Sequence, residues 1–533
     1  MQRRISSRHP MLIVAMALIV GIIMGHRAHN WIDTNTWLCI FALSATTTAF
    51  TIAMPNKACN YITQYISMAS IGIATIAFGA WNTNRCINNL SIASNDMPET
   101  YRGVVACQPV KGKKSVRCEI IVTRGRLKGH HIMAYLGNNA AEQLQVGCGI
   151  EATSVITPTC VDSKQNSVNS KQANKRNQLP YKKQASYNTW LKAQNISGTT
   201  YIPGHRWQRC KPDIQKLALM CRLRVRLLTM RSAALTHMAT YDMNDEAFGV
   251  VAAMSLGYRS HINDTLRQSY ATSGASHVLA LSGLHLGIIY SILTYILMAR
   301  RKRNVLTQAI IMTTIWTYAA LVGMGPSVVR SAIMMSMMSI CMLRQQGAIS
   351  TNALATAAAT ILAMSPLSIT DIGFQMSFVA VAAILAINSL INDTALTTLM
   401  PRKRFWRWMW QMVIISVAAQ TAVAPLSAMY FNSLPMYFVI TNFVAIPLTT
   451  IILGLTICVV ALTPLPALQH IVVSMLGATT NGLNSALTTI ANLPGASINN
   501  LHPTWIQVAI AYALLITLWM AAKKTTRIIA VYS

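Results

Sequence analysis

Residues Thr272–Leu286 read TSGASHVLALSGLHL. They open an apolar run over 275–298, close to the 20 or so residues that a helix needs to cross a bilayer. Yet the stretch holds two histidines, three serines and two glycines. Ionisable groups inside a membrane segment are costly and mark function by default. His277 and His285 are eight residues apart, close to two helical turns, so a continuous helix sets them on a similar face. The small residues Ser276, Ser282 and Gly283 permit close backbone approach. They also let a helix break where it lines a cavity. Two readings stand side by side: a tightly packed helix pair with histidines bonded across it, and the polar lining of a passage. A zinc site is a poorer fit, because two histidines are too few and no third ligand is near. Nucleophilic serine chemistry is also a poor fit, because GASHV lacks the second glycine of a GxSxG elbow.

The rest of the chain agrees with a membrane setting. Of 533 residues, 53% are hydrophobic and 11% charged, where a soluble domain carries about 25% charge. Lys and Arg number 44 against 14 Asp and Glu, giving a formal charge of +30, and no acid follows Asp393. Basic loops on the inner side of a membrane account for such a bias, and a polyanionic partner is compatible with it. The N-terminal run MLIVAMALIVGIIMG has no A-x-A-like cleavage site after it and reads as a retained span. Eleven cysteines are scattered without metal-site spacing. Five of them, Cys107, Cys118, Cys148, Cys160 and Cys210, fall in the one long polar region, where a disulfide is possible if that region faces an oxidising compartment.

Apolar runs lie near 10–25, 35–54 and 64–81, and return from residue 246 onward. Between Tyr101 and Thr157 the texture becomes short β-rich pieces broken by Gly and Pro, which suggests a small barrel or sandwich. The expected organisation is N-terminal spans over 1–82, a β domain over 83–160, a linker with a basic amphipathic helix over 161–245, and a helical membrane domain over 246–533. The stretch from Leu217 to Met238 alternates Leu with Arg222, Arg224, Arg226 and Arg231, fitting a helix on a membrane surface or one that lines the approach of a polyanion. Arg3, Arg4 and Arg8, the RRKR at 300–303, Arg344, the RKRFWR at 402–407 and the KKTTR at 523–527 mark the cytoplasmic side. The β domain then falls outside.

Three other apolar segments have the same mixed character. GMGPSVVRSAIMM carries Arg330. SITDIGFQMSFVAV carries Asp371 and Gln375 one turn apart, and Asp371 either pairs with Arg330 or caps a helix. The stretch from Gln420 through Asn442 to Pro447 holds prolines whose spacing implies kinked or discontinuous helices.

These segments resemble, in order, those of the ComEC family of competence proteins. SGASHVLALSGLHLG is similar to the family's SG-x-SHLLA-x-SGLHVG, and FGVVAAMSLGYRSHINDTLRQSYATSG, GPSVVRSAIM, DIGFQMSF and the 420–447 stretch follow suit. Tyr258 stands where many relatives have Asp. The resemblance implies a polytopic α-helical inner-membrane protein with an inserted, exported, OB-like β domain. It implies a channel for single-stranded DNA during natural transformation, rather than an enzyme, with no cofactor. Channel-lining or helix-packing residues are then Ser276, His277, Ser282, Gly283, His285, Arg330, Asp371, Gln375, Gln420 and Asn442. Cations at the DNA approach are Arg102, Lys111, Lys113, Lys114, Arg117, Arg124, Arg126, Lys128, Arg222, Arg224, Arg226 and Arg231. With aromatics few there (Tyr101 and Tyr135), stacking on bases is modest. Many relatives continue into a metallo-β-lactamase-like domain whose HxHxDH signature this sequence lacks, and no P-loop is present. The expected partners are therefore membrane lipid, a cytoplasmic translocase ATPase, a DNA receptor and a separate nuclease. Two rivals remain: a hydrolase or metal-dependent nuclease built on His277, His285 and Asp371, and a transporter of another cargo.

Overall fold

The computed structural model describes residues 10–53, 61–93, 97–112, 115–137, 144–160, 181–298, 305–343, 351–392 and 401–532. Lys113, Lys114, Arg3, Arg4, Arg8, the RRKR at 300–303 and Arg344 lie outside them. The chain divides into two compact units, 1–230 with 351–374, and 231–350 with 375–533.

The first unit starts with helices α1 (Pro10–Ala28), α2 (Thr34–Ala53) and α3 (Tyr61–Leu90). Gly21 and Gly25, a GxxxG pair, let α1 seat directly on α3. A Cβ on Gly21 would sit 2.1 Å from the Ile76 carbonyl oxygen, and one on Gly25 would sit 2.7 Å from Ala80 Cα. Such close approach maximises dispersion contacts where lipid offers no hydrophobic drive.

The β region follows: β1 (Glu99–Val105), β2 (Val110–Lys111), β3 (Val116–Arg124), β4 (His131–Leu136), β5 (Gly149–Ser154) and β6 (Ile156–Pro158). Helix α4 (Tyr181–Ala193) leads to β7 (Gly198–Ile202) and β8 (Trp207–Cys210). All eight strands form one sheet, with the path β6-β7-β4-β3-β1-β5-β8 and β2 on β3. The sheet thus draws on chain that the sequence assigns to a linker. Every pairing is antiparallel except β4 with β7, which is parallel. Val105, Ile120, Ile132, Leu136, Ile150 and Ile202 fill one core. On another face Val104, Ala106 and Ile121 pack against Leu217 and Val225, the latter on helix α5 (Leu219–Met238). Burial on both sides explains why β3 reads as VRCEIIVTR without a clean alternation. The ladder path is open, running from β6 to β8, and no closed barrel is present among the described residues.

The second unit holds α6 (Asp245–Leu256), α7 (Asp264–Thr272), α8 (Ser276–Leu279), α9 (Gly283–Met298), α10 (Val305–Leu321) and α11 (Pro326–Leu343). The chain returns to the first unit for α12 (Thr351–Met364) and the start of α13 (Ile372–Asn392). Then come α14 (Arg404–Phe431), β9 (Ser433–Pro435), α15 (Phe438–Ala461), α16 (Pro466–Ala491), β10 (Ser497–Asn499) and α17 (Trp505–Tyr532). Pro425 and Pro447 sit inside α14 and α15, so each helix continues through its proline. The break falls between the two, at Asn432, where φ is 55°, and at β9, which pairs with β10.

Among the described residues, six helices are long and apolar enough to cross a membrane: Pro10–Ala28, Tyr65–Leu90, Ile372–Ile391, Arg404–Phe431, Phe438–Ala461 and Trp505–Thr525. Gly283–Leu297, Val305–Leu321, Pro326–Cys341 and Thr351–Met364 are apolar but shorter. The chain is a multi-pass membrane protein, mostly helical, with one small β region.

Candidate functional site

The run 275–298 is two helices. After α7, Gly274 takes φ +89°, and a Cβ there would meet Pro435 Cβ and Cγ at 3.0 Å. Only glycine accepts both the angle and the contact. The single turn α8 follows, and Ala280 leaves it in extended conformation, φ −84° and ψ 123°. The chain re-enters a helix at Gly283. There, Ser282 N–H donates to His285 Nδ1 at 3.3 Å, and Ser282 Oγ lies 3.2 Å from the same nitrogen. This is one half of a capping box, the side chain at the third helical position reaching back to the cap N–H, with histidine in the place of the usual Glu or Gln. An accepting Nδ1 leaves the proton of the neutral ring on Nε2. That atom is buried and has no partner among the described residues.

The break corrects the expectation that the histidines share one face. His285 is fully buried. His277 is accessible although it lies deep among protein atoms, and its Nδ1 bonds the Gly274 carbonyl at 3.1 Å. Ser276 beside it is exposed. Arg259 and Arg267 are exposed too. Arg259 acts electrostatically on His285, as does His277, and Arg267 acts on Arg259. Two accessible guanidinium groups therefore act toward the interruption, Arg259 directly on His285 and Arg267 on Arg259. Both escape the sequence reading, although GYRSH is an evident polar insertion between apolar helices.

Buried polar bonds hold the break in place. Thr441 Oγ1 donates to the Ser273 carbonyl at 2.8 Å, and Tyr270 OH donates to Asn484 Oδ1 at 2.8 Å. A Cβ on Gly283 would lie 3.0 Å from Ser331 Oγ, which sets α9 against α11. Beside Ser331, Arg330 is buried. Asn442 Nδ2 donates to Ser416 Oγ at 3.1 Å, and Gln375 Oε1 accepts from Tyr430 OH at 3.0 Å. Gln420 is half-buried on α14. Asp371 Oδ2 accepts from Phe374 N–H at 3.0 Å, which makes it the N-cap of α13. Among the described residues, no three or more His, Cys, Asp and Glu are grouped to hold a metal ion.

Many of the expected DNA-approach cations have acidic partners. Arg102 pairs with Glu151 at 2.9 Å, Arg126 with Glu99 at 2.9 Å, Arg124 with Asp213 at 3.9 Å and Arg224 with Glu119 at 3.1 Å. Arg222 bonds the Leu217 and Gln215 carbonyls. Arg231 is buried and donates to the Val322 carbonyl at 2.9 Å. This clamps the end of α10 and corrects the expectation of a solvent-facing charge. Arg117 lies over the Trp190 ring at 5.8 Å. Lys111, Lys128 and Arg226 are exposed.

Glu119 is the electrostatic centre of this region. Burial alone would raise its carboxyl, but the hydrogen bond from His131 at 2.7 Å and the Arg224 guanidinium hold it below the usual range. Burial likewise opposes charge on His131, yet the neighbouring Cys221 thiol and Glu119 carboxylate push it up to about 9.

The family model described as "Competence protein" matches residues 254–525, about half of the chain, and that span holds the interrupted helix. ComE operon protein 3 of Bacillus subtilis (strain 168) is 25% identical over 340 residues, covering 63% of this chain and 41% of that protein. The chain thus spans less than half the length of that relative. No solved structure matches. The match of the family model over residues 254–525, which include the break after α7, shows that this chain belongs to the competence protein family.

Proposed function

We propose that the chain is a conduit in the bacterial inner membrane that passes single-stranded DNA to the cytoplasm during natural transformation. The observation that carries this reading is the break at Ala280–Ser282, inside the region the family model matches. A break in a spanning segment is tolerated where it borders a cavity or protein, and His277 is both accessible and deep among protein atoms. Phosphates are drawn by cations such as Arg259 and Arg267, while neutral hydroxyls such as Ser276 and Ser282 hold a strand weakly enough to release it. Arg330, Gln375, Gln420 and Asn442 serve the helices around this path, and Asp371 caps α13.

The β region is read as an exported OB-like barrel. In support, β4 and β7 are parallel, and only Val155 separates β5, which pairs β1, from β6, which pairs β7. One bent strand thus supplies β6, at one end of the ladder, and β5, next to its other end. Such barrels hold single strands on basic surfaces, for which Lys111, Lys128 and Arg226 are suited. The basic end of α14 marks the cytoplasmic side, with the N-terminus also inside and the β region periplasmic or extracellular. The chain acts as a passage rather than an enzyme. A cytoplasmic translocase supplies the drive, a separate receptor delivers DNA, and a separate nuclease removes the other strand.

Uptake of fluorescent duplex DNA, scored separately for periplasm and cytoplasm, tests this. Deletion of the chain is expected to leave DNA outside the cytoplasm. Unchanged cytoplasmic entry would overturn the reading and point to another cargo.

A further inference from the structure

The start of α14 carries more than the charge that orients a span. Residues 402–410 read RKRFWRWMW. Arg402, Lys403, Arg404 and Arg407 are all exposed. Among the described residues none of the four has an ion pair, and no acid follows Asp393 in the sequence. Phe405, Trp406, Trp408 and Trp410 are exposed as well, at 62, 55, 43 and 43%. A contiguous apolar surface of this kind marks an interaction or membrane site, and the cations interleaved with it call for an anion.

Length sets the depth of this surface. Helix α14 has 28 residues, about 42 Å at 1.5 Å each, against a hydrocarbon core of about 30 Å. From Trp408 to Phe431 it holds no charged residue, so the surplus falls at the basic end, at headgroup level. Phe405 and Trp408, three apart, share one face, with ring centroids 6.2 Å apart. Trp406 and Trp410, four apart, share another that is nearly opposite. Trp408 also meets Phe443 of α15 edge-on at 6.3 Å, which seats this end of α14 against its neighbour. Arg407 Nε donates to the Pro401 carbonyl at 3.3 Å, folding the preceding residues back on the first turn. Rings on opposite sides suit a medium that surrounds the helix. A nucleic-acid strand or an acidic peptide would need them on one side.

We infer that residues 402–410 form a binding surface for anionic phospholipid headgroups. The arginines meet lipid phosphates, and the tryptophans lie among the glycerol and upper acyl carbons. Tryptophan and basic side chains both concentrate at this depth, and guanidinium meets phosphate through two parallel hydrogen bonds. Net negative charge decides which lipid is held. A zwitterionic headgroup also has a phosphate, but its own ammonium cancels the field on which four unpaired cations act. The inference is independent of what the chain transports.

The end of α15 supplies an internal standard. Ile457, Val460 and Leu465 are exposed there, and 457–465 holds no charged residue. The test uses the purified full chain in vesicles of equal phosphatidylglycerol and phosphatidylcholine. Each lipid in turn carries a diazirine beside its headgroup, and adducts are mapped by peptide mass spectrometry. The ratio of phosphatidylglycerol to phosphatidylcholine adducts at 402–410 is expected to exceed that at 457–465 by at least about fivefold, the factor for one interfacial cation. Arg404→Gln with Arg407→Gln should remove most of that preference and leave 457–465 unchanged. Equal ratios at the two segments in the wild-type protein, which requires no variant to fold, would overturn the inference. So would a preference that survives the double variant. Displacement of phosphatidylglycerol from 402–410 by a single-stranded oligonucleotide would also overturn it, and would assign the surface to a nucleic-acid strand.

Discussion

Gly274→Ala and Gly287→Ala change two glycines of one motif and should have opposite effects. Gly274 has φ +89°, where a side chain costs about 1–2 kcal/mol. Its new Cβ would sit 3.0 Å from both Pro435 Cβ and Pro435 Cγ, and crowding of that kind costs about 1–3 kcal/mol. Pro435 belongs to β9, held by its ladder to β10, so the ring has little room to retreat. The sum is a loss of roughly 2–5 kcal/mol. Gly287 lies inside α9, and a Cβ there meets nothing within 4 Å. Alanine then replaces a poor helix former, a gain of up to about 1 kcal/mol. Thermal unfolding of both variants and the wild type, purified in one detergent, makes the comparison. Gly274→Ala should melt well below the wild type, and Gly287→Ala at or above it. Equal melting of the two variants would refute the claim that the break after α7 is built on a glycine-only conformation.

Further outcomes follow from buried bonds and charges. Tyr270→Phe leaves buried Asn484 Oδ1 without its donor, a cost of about 1–3 kcal/mol. A double-mutant cycle with Asn484→Leu should show coupling, and additivity would deny the bond. The folded-state pKa of His131, about 9, is raised above its ordinary 6.5. Its contribution to stability is present below about 6.5 and is lost as pH rises through 9. Glu119 is lowered from 4.5, so its share is present above 4.5 and is lost as pH falls through the lowered value. Proteolysis-monitored melts on peptides from 99–210 should therefore decline on the alkaline side, and His131→Gln should flatten that decline. An unchanged decline in the variant would contradict the assignment. Lys128→Ala with Arg226→Ala should weaken single-stranded DNA binding and reduce the salt slope by about 0.7 for each phosphate no longer neutralised. Arg102→Ala, whose charge Glu151 already meets, should do less; equal effects would argue against the charge map.

The helical membrane architecture was legible because long apolar runs and flanking basic clusters follow from bilayer physics alone. The β region was legible in kind but not in extent. Strands β7 and β8 lie far along the chain from β1, and nothing in GTTYI or WQRC states its partner. The break at 280–282 was half visible. Its serines and glycines point to it, but the face argument for His277 and His285 assumes a continuous helix. SGLH reads as a capping box only if histidine is allowed at the third position, and that would place the start of α9. The basic residues read as free charge because sequence does not show that Glu99, Glu119, Glu151 and Asp213 fold against them. Prolines 425 and 447 read as kinks or discontinuities, and the discontinuity falls between them, at Asn432 and β9.

The central claim is that a DNA strand passes beside the interrupted helix. A photo-crosslinking residue placed singly at Ser276, at Ser282, or at Leu518 on the exposed face of α17 would capture strands in transit in cells taking up labelled DNA. The account predicts adducts at 276 and 282 and none at 518. Cells that still import DNA but give no adducts at 276 and 282, or equal adducts at all three positions, would contradict it.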